Sequence, residues 1–214
     1  MSDYNKPIIV ISKCLGFDNC KHDGSIENNE FIEKLKKYVK VIPICPEIEC
    51  GLQIHHSKLR IVENNNKEEL LIPNEDLNLT QEMHDFSNKF LNKLTNVDGF
   101  ILKSKSPICA LKDAKVYDTL EKGCAIKREH GFFTKEIIKQ YPYIPIEDEH
   151  RLNNFKIREH FLSRIFILSD FRLIKKSFNF ESLKSFHLKN TLLFLSYSQK
   201  YSKLLDNLIY SDKI

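Results

Sequence analysis

The sequence predicts an α/β fold: a mostly parallel, Rossmann-like sheet with helices on both faces, plus a small all-α C-terminal extension. Three observations lead there. Short β-branched apolar runs alternate with stretches of helical periodicity. Three of those runs end in a loop that carries a cysteine. Beyond Pro142 and Pro145 the pattern is helical only. With 214 residues, 42% of them apolar, and 15 Phe, there is ample material for a core, which excludes a globally disordered chain.

The first run, Pro7-Ile8-Ile9-Val10-Ile11-Ser12, reads as a buried strand that ends in Lys13-Cys14-Leu15-Gly16. Phe31, Ile32, Leu35 and Tyr38 recur at helical spacing between charges. Val39 to Ile44 is a second strand and runs straight into Cys45-Pro46-Glu47. Glu63 to Glu69 is polar throughout and reads as an exposed loop. Thr80 is the expected N-cap of a helix to about Leu94, with Met83, Phe86, Phe90, Leu91 and Leu94 on one face. Gly99 to Lys103 is a third strand, leading into Ser104-Lys105-Ser106-Pro107-Ile108-Cys109. Leu152 to about Ile174 and Glu181 to about Tyr210 read as two further helices.

In parallel sheets ligands bind beyond the carboxyl ends of the strands. Cys14, Cys45 and Cys109 all stand where a strand ends, so the three thiols are expected to converge. Soft sulfur ligands suit iron–sulfur clusters and zinc alike, and ligand type alone does not choose. Three thiolates around a 4Fe-4S cluster would leave one iron open to a substrate atom. The chain lacks paired C-x-x-C knuckles, which argues against a small zinc-ribbon fold. Cys20, Cys50 and Cys124 remain as spares, with Cys50 a ligand only if its loop folds back.

Charge is uneven along the chain. Residues 1–150 carry 21 Lys and Arg against 24 Asp and Glu, whereas residues 151–214 carry 12 against 5. A polyanion is therefore expected to meet the C-terminal third, where Arg151, Arg158 and Arg164 recur near helical spacing. No basic, apolar leader and no membrane-length apolar run is evident, so a cytoplasmic protein without a membrane partner is expected. His55-His56 point to opposite faces of any strand and read as surface residues. His187 reads as a packing residue. Glu147-Asp148-Glu149 read as acids favouring a helix N-terminus.

Several motifs resemble those of the thiouracil desulfurases. Ser12-Lys13-Cys14-Leu15-Gly16 with Lys21-His22-Asp23-Gly24 resembles that family's opening motif. Pro43-Ile44-Cys45-Pro46-Glu47 with Gly51-Leu52 resembles the second, and Leu102 to Cys109 the third. Gly131-Phe132-Phe133 and Ile144 to Leu152 fall where the family has similar runs. Asn153 to Phe161 and Phe186 to Lys189 resemble the start of a YbgA-like helical domain, shortened here. The resemblance implies a desulfurase domain over 1–153 and a partial YbgA-like extension over 154–214.

It further implies a 4Fe-4S cluster held by Cys14, Cys45 and Cys109, with Glu47 and Ser106 as the catalytic pair. The implied substrate is a thiolated uracil, as free base, nucleotide, or 4-thiouridine in tRNA met through the basic C-terminal region. Ser12 and Lys13 border the site without a catalytic role. The chain departs from the family pattern at Ile108, at Ala110 where Gly is usual, and at His55-His56 where Pro-Arg is usual. The alternative class is a non-catalytic RNA-binding or metal-stabilised module on the same scaffold.

Overall fold

The computed structural model describes residues 5–54, 57–73, 75, 77–121, 123–177 and 179–210, so the His55-His56 pair lies outside the described residues. Lys6–Phe166 forms one compact unit, and Asn5 with the described residues from Ile167 onward forms a second.

In chain order the first unit contains β1 (Ile8–Ser12), α1 (Glu30–Leu35), β2 (Lys40–Ile44), α2 (Pro46–Glu49), β3 (Arg60–Asn64), β4 (Lys67–Ile72) and β5 (Leu77–Asn78). There follow α3 (Thr80–Lys93), β6 (Gly99–Leu102), β7 (Ala114–Tyr117), β8 (Lys127–Glu129), α4 (Phe132–Gln140) and β9 (Ile146–Asp148). A short 3-10 turn, Arg151–Asn153, leads into α5 (Phe155–Ser177), which begins in the first unit and continues into the second.

Strands β2, β1, β6 and β9 form a sheet in that order, every neighbour parallel. Period-two alternation sends β1 side chains to two separate cores. Val10 joins Phe100 and Leu102 against Met83 and Leu91 of α3 and Phe132, Phe133 and Ile137 of α4. Ile9 and Ile11 face the other way, onto Ile32 and Leu35 of α1 and Phe161 and Ile165 of α5. The sheet is thus covered on both faces, which is why its central strands read as continuous apolar runs.

A second sheet, in the order β5-β4-β3-β7-β8, differs from the expected loop over Glu63–Glu69. That segment is a hairpin. Asn65 and Asn66 take φ of 49° and 60°, the left-handed pair that a two-residue turn between antiparallel strands requires. Asn tolerates that region better than most residues, so the Asn-Asn pair was the available signal. Lys127 and Lys135 bind the carboxylates of Glu63 and Glu68, which makes the hairpin's charges internal partners. Its apolar face, Ile61, Leu70 and Ile72, completes the core beneath α3 and α4.

Thr80 is not an N-cap but the first residue of α3, because its hydroxyl accepts the Leu70 N–H at 2.8 Å.

The second unit is helical: the rest of α5, then α6 (Phe180–Tyr197) and α7 (Gln199–Tyr210). The single helix expected over Glu181–Tyr210 is broken at Ser198, whose backbone is extended and whose hydroxyl accepts from Tyr201 N. Serine favours such ends because its side chain competes for backbone donors. His187 is buried between Phe194 and Tyr210, with Asp206 Oδ1 3.3 Å from its Nε2. Among the described residues no helix is long and apolar enough to cross a membrane.

Candidate active site

Three loops at the carboxyl ends of β1, β2 and β6 build one pocket of about 410 Å³. Cys14, Cys45 and Cys109 line it, together with Glu47 and Ser106. Each thiol is held differently. Cys14 follows β1 directly, its register carried on by the Lys13 N–H donating to Ile44 O at 2.7 Å. Cys45 is the residue preceding α2, where Pro46 at the first helical position fixes the turn and sets Glu47 two residues further on.

Cys109 sits deeper in a longer loop, clamped by the start of α4. Gly131, Phe132 and Phe133 N–H groups donate to the carbonyls of Ala110, Pro107 and Ile108 at 2.9, 3.1 and 3.0 Å. The Thr134 hydroxyl donates to Cys109 O at 2.8 Å. The free N–H groups of a helix start thereby satisfy a buried loop's carbonyls. A Cβ on Gly131 would lie 2.4 Å from both C and O of Ile108, so only glycine permits this approach. Gly131→Ala is expected to cost about 2 kcal/mol or more, the scale of overpacking against atoms that cannot move. Thermal unfolding checks it, as a fall of several degrees.

The resemblance's two departures in this loop are absorbed. Ala110 has no positive φ, so it bears no strain where glycine is usual. Ile108 is fully buried in the core beneath α4. Lys105 does take a left-handed φ of 60°, held by its N–H donating to Asp113 Oδ1 at 2.8 Å. Backbone strain of this kind, about 1–3 kcal/mol, gathers at ligand sites.

The electrostatics of the metal-free pocket favour the neutral thiol over the thiolate. Burial pushes the Cys109 thiol up, with Glu47 and Cys45 adding to it, while the Ser12 and Ser106 hydroxyls oppose them by hydrogen-bonding the sulfur. Cys45 is pushed up by a hydrogen bond with Cys20 and by burial. The thiolate is the reactive form. In the metal-free chain, exposed Cys124 is therefore expected to react with iodoacetamide before the buried Cys45 and Cys109, as mass spectrometry of a time course would show.

The structure adds residues that the sequence did not single out. Cys20, set aside as a spare, lines the same pocket and is 3% exposed. Cys50 is turned away, its thiol 3.8 Å from Glu82 O on α3. Glu149 is not a helix-start acid. It is buried and accepts from the Ser104 N–H at 2.8 Å, the Ser104 hydroxyl at 2.6 Å and the Lys103 ammonium. It anchors the loop that carries Ser106 and Cys109. The neighbouring acids are also engaged: Asp148 accepts Arg151 N, and Glu147 pairs with the Arg151 guanidinium.

The expected basic stripe is spent locally. Arg158 lies over the Phe31 ring at 5.5 Å and Arg164 donates to Tyr143 O at 2.9 Å. Positive charge also gathers at the pocket, which Lys21, Lys58, Lys105 and Lys115 line. Among the described residues the ammonium groups of Lys58, Lys105 and Lys115 have no hydrogen-bond or ion-pair acceptor.

Fold and pocket together define an α/β protein with a soft-donor site beyond its parallel strands. The sequence matches the family described as 2-thiouracil desulfurase over residues 9–149, which include the three strand-end cysteines, Glu47 and Ser106, and the chain belongs to that family. No curated protein matches it. Among solved structures it is similar to TudS, described as a 4Fe-4S-dependent thiouracil desulfidase, at 19% identity and a TM-score of 0.55. That match covers 69% of this chain and 94% of TudS, and it is a likeness of fold.

Proposed function

We propose that this chain is a 4Fe-4S-dependent desulfurase of a thiolated uracil, in which Cys14, Cys45 and Cys109 hold the cluster and Glu47 and Ser106 serve the reacting ring. The observation that carries the reading is their meeting in one pocket inside the family-matched span. The donors suit such a group. They are sulfur, buried and supported by hydroxyls at the Cys109 sulfur.

When bound, the cluster supplies a Lewis-acid iron for the departing sulfur, since three cysteines leave one iron without a protein ligand. Replacing sulfur by oxygen requires water to add at the C=S carbon. Glu47, half-buried at the pocket wall, takes that water's proton. The Ser106 Oγ accepts the Ile108 and Cys109 N–H groups at 3.2 and 3.1 Å. Those two bonds occupy its lone pairs, so its one hydrogen, given to the Cys109 sulfur in the metal-free chain, is the part that can turn to a bound ring.

The unpaired lysines support a substrate that carries phosphate. A cation without a partner at a pocket mouth attracts an anion that a neutral base does not offer. The test is kinetic. Lys58→Ala with Lys115→Ala is expected to raise KM for a thiouridine monophosphate about tenfold or more, the scale of losing charged hydrogen bonds. KM for free thiouracil should stay unchanged. Equal effects on both would remove the phosphate from the reading. Thiolated tRNA assayed in parallel separates a mononucleotide substrate from RNA.

A further inference from the structure

The pocket holds four thiols, and the proposed function uses three. Cys14, Cys45 and Cys109 are on rigid supports: two strand ends and a loop clamped by α4. Cys20 is on a different kind of segment. From Lys13 to Asn29 the chain is neither helix nor strand. It turns at Gly16, with φ of 83°, and is drawn back by the Lys13–Asp18 ion pair at 2.7 Å. This return places Cys20 in the same buried cluster as Cys14 and Cys45. Cys45 Sγ is 3.7 Å from Cys20 O.

Cys20 is 3% exposed and lines the same pocket as the Cys14, Cys45 and Cys109 thiols, so a fourth sulfur stands beside the three that would hold the cluster.

We propose that Cys20 is a fourth, exchangeable cluster ligand: its loop lets it cap the otherwise open iron when no substrate is present and withdraw when a thiolated uracil arrives. This rests on the cluster reading above. The exchange moves no electrons. The Fe–S bond to Cys20 breaks as the bond to the substrate's sulfur forms, and the released thiolate takes a proton from solvent. When hydrogen sulfide leaves, Cys20 gives that proton back and binds again. Three fixed ligands keep the cluster in place throughout, so Cys20→Ser should still assemble it.

Mössbauer spectroscopy of the iron-57 protein, loaded under nitrogen, tests the exchange in the wild type. The expected result is four similar thiolate-bound sites without substrate and one distinct site after thiouracil is added. A distinct site already present without substrate overturns the proposal. Mild ferricyanide oxidation supplies a second readout, the conversion to a three-iron cluster followed by electron paramagnetic resonance. Cys20→Ser and Cys20→Ala should lose the fourth iron about tenfold faster than wild type, the lower end of the range for removing a residue that supports a metal. Equal rates overturn the proposal. A wild type that assembles no four-iron cluster overturns the underlying reading instead, so the two failures are distinguishable.

Discussion

Glu47→Gln is expected to leave iron and sulfide content at wild-type levels and to lower kcat about 100-fold or more, the usual scale for a positioned acid–base group. Glutamine preserves shape and hydrogen-bonding length but cannot accept water's proton. The short helix α2 fixes the side chain through Pro46, and that backbone is unchanged by the substitution. Glu47 also raises the Cys109 thiol by its charge. Removing that charge eases thiolate formation, so cluster loading should not suffer. Rate and loading thus respond differently, which separates a catalytic carboxylate from a structural one. Turnover by Glu47→Gln at the wild-type rate would falsify the base assignment.

The second large effect concerns the ligands. Cys14→Ser, Cys45→Ser and Cys109→Ser should each purify without a four-iron cluster, whereas Cys50→Ser and Cys124→Ser should retain it. Serine is a hard oxygen donor with little affinity for iron that prefers thiolate. The contrast follows from position: the first three thiols line the pocket, Cys50 faces α3, and Cys124 is exposed. Iron and acid-labile sulfide counts on protein loaded under nitrogen decide it. A full cluster in any of the first three variants removes that residue from the ligand set.

What the sequence made legible was whatever depends on local pattern. The β-branched runs at Ile8–Ser12 and Gly99–Leu102 gave the buried parallel strands, because both of their faces are covered and neither tolerates polar residues. The cysteine positions followed, since a strand's end is visible where its apolar run stops. The hairpin around Asn65-Asn66 was hidden because the residues flanking its turn are charged, and those charges are paired across the sheet rather than solvated. Glu149 was hidden for a similar reason. An acidic run looks exposed until a half-buried Lys103 and the Ser104 N–H are found opposite it.

Charge counting also hid a feature of the first unit. The acidic balance of residues 1–150 conceals Lys21, Lys58, Lys105 and Lys115, which come from separate segments and line one pocket, while Arg151, Arg158 and Arg164 have partners in Glu147, Phe31 and Tyr143. Net charge along a chain does not see convergence in space. Cys20 escaped in the same way. Six residues from Cys14 it resembles a spare, and only the turn at Gly16 brings it back.

The most direct measurement is sulfide release from a thiolated uracil by protein loaded with iron and sulfide under nitrogen, with the metal-free chain as control. The expected result is repeated turnover, one sulfide for each uracil formed, only in the loaded sample. A protein that carries a full four-iron cluster yet releases no sulfide from thiouracil, thiouridine monophosphate or thiolated tRNA would contradict the desulfurase reading and leave the cluster a structural role.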